Sequence, residues 1–176
     1  MNLPKIDFYK ILQESKLLTS RRLDQAVTIA NEQGLPLFNI LIDQNFVSEN
    51  VLLRLISPVL NIPFELIDRA TVDPKAGSLI SENFAKERQI LPLFQLGEML
   101  SVAITNPFDL RTLEEIEQIT KLNISPILTV KSNLGPLLEY CYSYQAADVE
   151  KDDTSMTNLF ELGIKLVEDK QVSEEE

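Results

Sequence analysis

Carboxylates are the side chains of this sequence that stand close enough together to share chemistry. Glu114, Glu115 and Glu117 fall within four positions, and four more acids lie between Asp148 and Asp153. On a helix the three glutamates spread around the outside, so a solvated face is the favoured interpretation. The second group could attract a divalent cation weakly, but it lacks the glycine turn and terminal glutamate of a calcium loop. We predict no metal site and no catalytic residue.

Other catalytic groups are missing from the sequence. Histidine is absent, which excludes histidine general bases and the Ser-His-Asp and Cys-His nucleophiles. Zinc sites built from Cys and His are excluded as well, and the single Cys141 is predicted to be a buried filler. The five glycines lie too far apart to form a G-x-x-x-x-G-K-S/T or G-x-G-x-x-G phosphate loop. The chain is predicted to use no cofactor and not to be an enzyme.

Charge is concentrated at one end of the chain. The net charge is −11, and residues 145–176 hold 10 acidic and 3 basic side chains, which gives −7 there and leaves −4 for the rest. This balance excludes nucleic acid as an expected partner, because phosphate binding needs clustered Lys and Arg. Five basic residues do lie in the first 22 positions, but Asp7 and Glu14 interleave with them. A solvated helix face is favoured there over a patch for an anionic partner.

A repeat organises the first third of the chain. Residues 8–27 and 37–56 carry nearly the same apolar pattern, offset by 29 positions. Such a repeat indicates a supersecondary unit that buries its apolar face against its neighbour, so two packed helical hairpins are predicted. The equivalent positions pair Phe8, Ile11, Leu12, Leu17, Leu18, Thr19, Leu23 and Val27 with Leu37, Ile40, Leu41, Phe46, Val47, Ser48, Leu52 and Ile56.

Each repeat is predicted to contain two helices, because its apolar residues recur at spacings of three and four. Thr19 and Ser48 are the predicted N-caps of the second helix of each pair, and Gly34 ends the earlier one. Leu17 and Leu18 are expected to anchor the first turn inward. The four helices are predicted over residues 6–15, 20–33, 37–44 and 49–60.

The pattern changes after residue 62 and predicts an α+β domain. Its element order, β-α-β-β-α-β-α, is typical of helices that cover one face of an antiparallel or mixed sheet. The predicted fold is therefore a helical-repeat bundle in residues 1–62, an α+β domain in 63–144, and an acidic linker in 145–176 that could include a short helix. The strands are predicted over 64–67, 90–94, 99–104 and 124–130, and the helices over 79–88, 110–121 and 133–144.

Both regions, over about residues 6–144, resemble the N-terminal region of type II secretion and type IV pilus assembly ATPases. That region holds a helical repeat domain of the MshEN/GspE N-terminal type and the α+β domain that follows it. The family's repeats are similar to R-L-G-x-x-L-x-x-x-G-L-I-S/T-x-x-x-L, and an L-G-I/L-P-F motif comes next. The matching residues here are Leu37, Leu41, 46–48, Leu52 and 61–64, then 72–74, Leu79, Ile80, Ala85, 90–93, 100–103, 106–110 and 126–128.

The resemblance implies a non-catalytic module ahead of a hexameric ATPase motor, whose core would lie downstream of Glu176. The chain would then be a fragment or an independently encoded adaptor. In that family, such modules dock the motor to cytoplasmic domains of inner-membrane platform proteins, and some repeats bind cyclic di-GMP. Apolar runs here are broken before the roughly 18–20 residues of a membrane span, and no signal peptide is evident. A cytoplasmic protein, peripheral to the inner membrane through protein partners, is expected.

The residues depart from the ligand-binding form of the repeat, which is similar to a pattern of one arginine, two glycines and one glutamine. By this resemblance, Asp7 and Pro36 replace the arginine, and neither can donate a hydrogen bond to phosphate from its side chain. Tyr9 and Phe38 replace the first glycine, where their bulk would block a close approach. We therefore expect no cyclic di-GMP binding. The second glycine is replaced by Lys16 and Asn45, and the glutamine by Ala30 and Val59.

These replacements would turn the ligand face into an aromatic patch if the rings are exposed. Phe38, Asn39 and Phe46 are therefore the predicted partner-binding residues, and burial of both rings in the core is the equal alternative. The competing hypothesis is a cyclic di-GMP-sensing domain with an atypical site, in which the contacts come from Lys10, Arg21 or Arg22.

Overall fold

Four helices build the first region of the computed structural model, which describes residues 7–143. All four predicted helices are present, with ends no more than two residues from the expected ones. Each helix buries apolar residues, from Leu12 alone in α1 to four leucines and isoleucines in α4. The helices are α1 (Phe8–Ser15), α2 (Ser20–Gln33), α3 (Leu37–Asp43) and α4 (Glu49–Leu60).

The turns between these helices follow the predicted cap chemistry in part. Thr19 caps α2, since its hydroxyl accepts a hydrogen bond from the Arg22 backbone N–H at 3.4 Å. Ser48 occupies the N-cap position of α4, but its side chain makes no capping hydrogen bond. Leu18 is buried whereas Leu17 is 40% exposed, so the prediction that both leucines anchor inward was wrong. Adjacent side chains outside a helix tend to point to different sides of the chain, and only one reaches the core.

A mixed sheet and short helices form the second region. β1 (Ile90–Leu96) pairs antiparallel with β2 (Met99–Ile104), which pairs parallel with β3 (Asn123–Leu128). Within the described residues the strand order is β1-β2-β3. The helices are a 3-10 turn (Arg69–Thr71), α5 (Pro74–Gly77), α6 (Glu82–Arg88), α7 (Leu110–Thr120) and α8, which covers residues 131–143.

The α+β prediction is confirmed, with two local corrections. Phe64 makes a single parallel bridge to Leu128, so the strand predicted there does not form a ladder in the structure. The helix predicted to begin at residue 79 begins at Glu82, because Ser81 accepts a backbone hydrogen bond and caps it. The acidic linker predicted over 145–176 lies outside the described residues.

The two regions pack against each other. Phe108, two residues before α7, lies against Phe8 of α1 and Phe38 of α3. The Glu49 carboxylate at the start of α4 accepts a hydrogen bond from the Lys131 backbone N–H at the start of α8. The buried apolar core includes residues of both regions, and the domain division at residue 62 stays a prediction.

Candidate partner-binding surface

Phe38 lies in the core, with only 4% of its surface exposed. Its ring centroid is 5.4 Å from that of Phe108 and 6.3 Å from that of Phe8, and the latter two are 5.2 Å apart. Tilted and edge-on rings at such distances attract one another. The exposure on which the predicted partner contact of Phe38 depended is therefore not met, because this ring joins the two regions from inside.

Asn39, the next residue, is half-buried and lines a cavity of about 280 Å³ between the repeats and the α+β region. Phe38 lines the same cavity, so these two predicted residues do lie together. Asn39 thus faces a polar cleft, partly open to solvent, rather than an aromatic patch. The charged residues of the cavity are Asp43, Glu87, Asp109, Arg88 and Lys131.

Glu49 joins the two regions close to this cavity. Its Oε2 accepts the Lys131 backbone N–H at 3.1 Å, and Lys131 begins α8. Burial raises the pKa of the Glu49 carboxyl and outweighs the opposite effect of the Lys131 N–H. Its Oε1 is buried without a hydrogen-bond partner among residues 7–143. This polar contact is therefore sensitive to the charge of one carboxyl group.

Phe46 is half-buried and forms one wall of a different depression, a surface groove of about 730 Å³ that follows α2. We call it the Phe46 groove. Its α2 residues recur at spacings of three and four, so they share one helix face over about two turns, or roughly 12 Å. The residues that line it are Arg21, Asp24, Gln25, Thr28, Ile29 and Phe46.

Two guanidinium groups border the Phe46 groove. The Cζ of Arg22 lies 5.4 Å from the Phe46 ring centroid, which is a cation–π contact, and Arg21 is exposed beside it. Neither arginine forms an ion pair with a carboxylate in the part of the chain that the structure describes. The Tyr9 hydroxyl donates to Asp24 Oδ1 at 3.2 Å, and this hydrogen bond raises the pKa of Tyr9. The groove thus has one cation in its lining, Arg21, and a second, Arg22, stacked on the Phe46 ring, while the Asp24 carboxylate accepts a hydrogen bond.

The backbone at the second glycine position of each repeat is left-handed, although neither residue is glycine. Lys16, after α1, has a φ of 55°, and Asn45, after α3, has a φ of 54°. Glycine adopts this conformation without strain. The turn geometry is therefore retained where the glycine has been lost.

Catalytic and metal-binding chemistry finds no support among residues 7–143. No group of three or more Cys, Asp or Glu is placed there to hold a metal ion. Cys141 is buried as predicted, and burial, with a smaller effect from the charge of Asp73, raises the pKa of its thiol to about 11. A thiol with that pKa stays protonated at neutral pH and is a weak nucleophile.

Membrane insertion has no candidate helix in this part of the chain either. None of the described helices is long and apolar enough to cross a bilayer. The α2 helix, for example, has 14 residues, and exposed polar side chains occur along its whole length. A membrane span needs about 20 predominantly apolar residues.

Two aromatic residues at the contact between the regions were not identified as functional from the sequence. Phe8 stood out only as an apolar repeat position, and Phe108 only as part of a family motif. Each is adjacent to an N-cap aspartate, Asp7 for α1 and Asp109 for α7. An aromatic residue next to a cap is the available signal, because the cap fixes the direction in which the chain enters the helix.

Comparisons with known proteins match this fold and these motifs. Residues 60–148, just over half of the chain, match the MshEN domain family. A type IV pilus assembly ATPase PilB from Thermus thermophilus is 34% identical over 124 residues, which are 69% of this chain and 14% of that protein. The PilB of Acinetobacter baylyi is 27% identical over 133 residues, 74% of this chain and 23% of that protein. The chain therefore spans less than a quarter of the length of these relatives.

Solved structures share the fold. A structure of MshE with cdg (cyclic di-GMP) superposes with a TM-score of 0.68 at 24% identity, over 78% of this chain and 100% of that one. The N-terminal domain of XpsE superposes with a TM-score of 0.62 at 20% identity, over 75% of this chain and 91% of that one. At these identities the likeness establishes the architecture of the two regions, and function has to be argued from the residues.

Proposed function

The chain belongs to the MshEN domain family, and from this premise we propose that it is a non-catalytic docking module of a type II secretion or type IV pilus assembly ATPase. It would bind the cytoplasmic domain of an inner-membrane platform protein and so position a downstream hexameric motor. The module would be cytoplasmic and peripheral to the inner membrane through that partner. The relatives that match it are pilus assembly ATPases, and its own sequence lacks histidine and a phosphate loop.

The Phe46 groove is the observation that carries this proposal. It combines the aromatic wall of Phe46, on which Arg22 stacks, with Arg21 in its lining, and neither arginine forms an ion pair among the described residues. Aromatic residues and arginines are enriched at the centres of protein interfaces. We therefore assign the direct partner contact to Phe46. Phe38 would act indirectly, because its ring packs α3 against Phe108 of the α+β region, and Asn39 lies beside it in the cavity.

Cyclic di-GMP sensing is the second candidate function, since a protein of the same fold has been solved as MshE with cdg. The groove arginines could stack on a guanine and bind phosphate. Three features weigh against it in this chain. The Asp7 carboxylate caps α1, Pro36 has no N–H to donate, and the Phe38 ring packs in the core where a glycine would leave space.

Calorimetric titration distinguishes the two functions. The full chain is titrated with cyclic di-GMP and, in parallel, with the cytoplasmic domain of the platform protein from the same secretion or pilus system. Docking predicts saturable heat with the platform domain and none with the nucleotide. Micromolar nucleotide binding without platform binding would contradict the docking function and would support second-messenger sensing.

A further inference from the structure

We infer that the partner segment that occupies the Phe46 groove is an acidic peptide with an apolar anchor residue. This inference rests on the proposed docking function and adds the chemistry of the partner. It follows from three properties of the groove: its charge, its apolar walls, and polar side chains that can form hydrogen bonds with the backbone of a bound peptide.

The cations of the groove require an acidic occupant. Arg21 is exposed, and Arg22 presents one face of its guanidinium to the Phe46 ring. The N–H groups at the edge of a stacked guanidinium remain free to donate to a carboxylate in a bidentate geometry. Both arginines also lie in the first turn of α2, where the helix dipole adds positive potential. Carboxylates of a partner therefore complement this end of the groove.

The walls of the groove require an apolar side chain as well. Phe46 and Ile29 are both half-buried and both line the groove. A leucine or phenylalanine placed between them would cover their exposed surface, and apolar burial contributes roughly 25 cal/mol per Å². Carboxylates alone would leave this part of the groove uncovered.

The remaining polar groups favour a peptide over a nucleotide. Asp24 has one carboxylate oxygen that accepts the Tyr9 hydroxyl, and its other oxygen can accept a backbone N–H. Gln25 offers both a donor and an acceptor along the same helix face. A peptide supplies N–H donors along its whole length, whereas a nucleotide supplies them only at its base edges, and Asp24 would repel its phosphodiester oxygens.

Fluorescence anisotropy with designed peptides tests the inference on the full chain. The first probe is a labelled 12-residue peptide of Glu and Asp with one central Leu-Phe pair. The second replaces its acids by Gln and Asn, and the third replaces Leu-Phe by Ala-Ala. The first peptide should bind with an affinity that falls at least tenfold on either change, and that falls further as salt is raised.

Matched protein variants locate the binding. Arg21→Glu should weaken binding of the acidic peptide at least tenfold. Arg111→Glu is the control, because Arg111 occupies the equivalent second position of α7, is exposed and does not line the groove. Phe46→Ala should remove the preference for Leu-Phe over Ala-Ala while retaining the preference for acids. Thermal unfolding of each variant shows whether it is folded.

Several results would overturn the inference. These are equal affinity for the acidic and neutral peptides, equal loss in the Arg21→Glu and Arg111→Glu variants, or displacement of the peptide by cyclic di-GMP. The same variants titrated with the platform domain separate this inference from the docking function. If Arg21→Glu leaves platform binding unchanged, the module docks on the platform protein but not through the Phe46 groove. Peptide binding that depends on Arg21, without any platform binding, would retain the groove chemistry and reject the proposed partner.

Discussion

Tyr9 in the first helical repeat is 39% exposed, whereas Phe38, its equivalent in the second, is 4% exposed. In the turns that follow, the equivalent residues Lys16 and Asn45 both have a left-handed backbone conformation. Backbone geometry therefore does not separate the two repeats. The difference comes from their neighbours, because Phe38 packs on Phe108 of the α+β region while the Tyr9 hydroxyl bonds within its own repeat.

The charges at the second helix of each repeat differ as well. In the first repeat α2 begins with Ser20, Arg21 and Arg22, and in the second α4 begins with Glu49, Asn50 and Val51. Glu49 faces inward and bonds the start of α8, whereas the arginines border the Phe46 groove. The two copies thus differ at this position. The second repeat adds a polar contact to the ring contacts that Phe8 and Phe38 both make with Phe108, and the first leaves the exposed face of α2 open beside Phe46.

Removal of the two equivalent rings should give the largest contrast. Phe38→Ala should lower the free energy of unfolding by about 3 kcal/mol, since a buried ring leaves a cavity. Tyr9→Ala removes a ring that is partly in solvent and should cost less than about 1 kcal/mol. Urea unfolding followed by circular dichroism measures both values. Equal losses would show that the two repeats do not differ in this role.

Glycine at the left-handed positions should stabilise the chain. Lys16→Gly is expected to raise the free energy of unfolding by about 0.5 to 1 kcal/mol, because lysine is strained at positive φ and glycine is not. Asn45→Gly should gain less, since asparagine tolerates this region. Thermal unfolding tests both, with Gln13→Gly in the exposed face of α1 as a control that should lose about 1 kcal/mol. If Lys16→Gly lowered the stability as much as Gln13→Gly, the backbone at Lys16 would not be strained.

The stacked arginine should contribute a smaller term. Arg22→Ala is expected to lower the free energy of unfolding by about 0.5 kcal/mol, because it removes the cation–π contact with Phe46. Arg21→Ala touches no ring and should change it by less than that. Urea unfolding at low ionic strength compares the pair. A larger effect for Arg21 would mean that Arg22 does not hold the groove wall.

The Glu49 contact predicts the smallest effect and a pH dependence at acidic to neutral pH, which the equivalent Ser20 of the first repeat cannot give. Because its pKa is raised in the folded state above the ordinary 4.5, the folded chain binds this proton more tightly than the unfolded chain. Its contribution to stability is therefore highest at low pH and declines as pH rises through the raised pKa. Glu49→Gln should match the parent near about pH 4 and be at least as stable at about pH 7.

Unfolding curves at both pH values test this sign. Glu49 is partly exposed, so solvent reduces the effect. A glutamine variant that is less stable at neutral pH only would show that the ionised carboxylate strengthens the contact with α8. Ser20, the equivalent residue of the first repeat, carries no titratable group, so this position of the first repeat adds no pH dependence.

Local signals in the sequence predicted most of the fold. The Thr19 cap and the apolar period predicted the helices of the repeats, because both signals depend on residues within a turn or two of each other. The apolar period of the helix predicted over 110–121 includes Ile119, which is 55% exposed near the end of α7. A period shows which side chains share a face and does not show how far the neighbouring element extends.

The candidate site could be predicted only in part, because it depends on contacts between distant residues. Phe46 was identified, but the groove also needs α2, whose face is set by the packing of the two hairpins. Phe38 was assigned to the surface as one of two equal alternatives, and its burial depends on Phe108, 70 positions away. No pattern within one repeat contains that information.

Hydrogen–deuterium exchange of the full chain, alone and with the platform cytoplasmic domain, is the most direct test of whether the partner binds at the Phe46 groove. We predict slower exchange on binding in residues 21–29 of α2 and in the turn around Phe46. Residues 37–43 of α3, which carry Phe38 and Asn39, should exchange at an unchanged rate. Protection confined to α3, or absent from α2, would contradict the assignment of docking to the Phe46 groove.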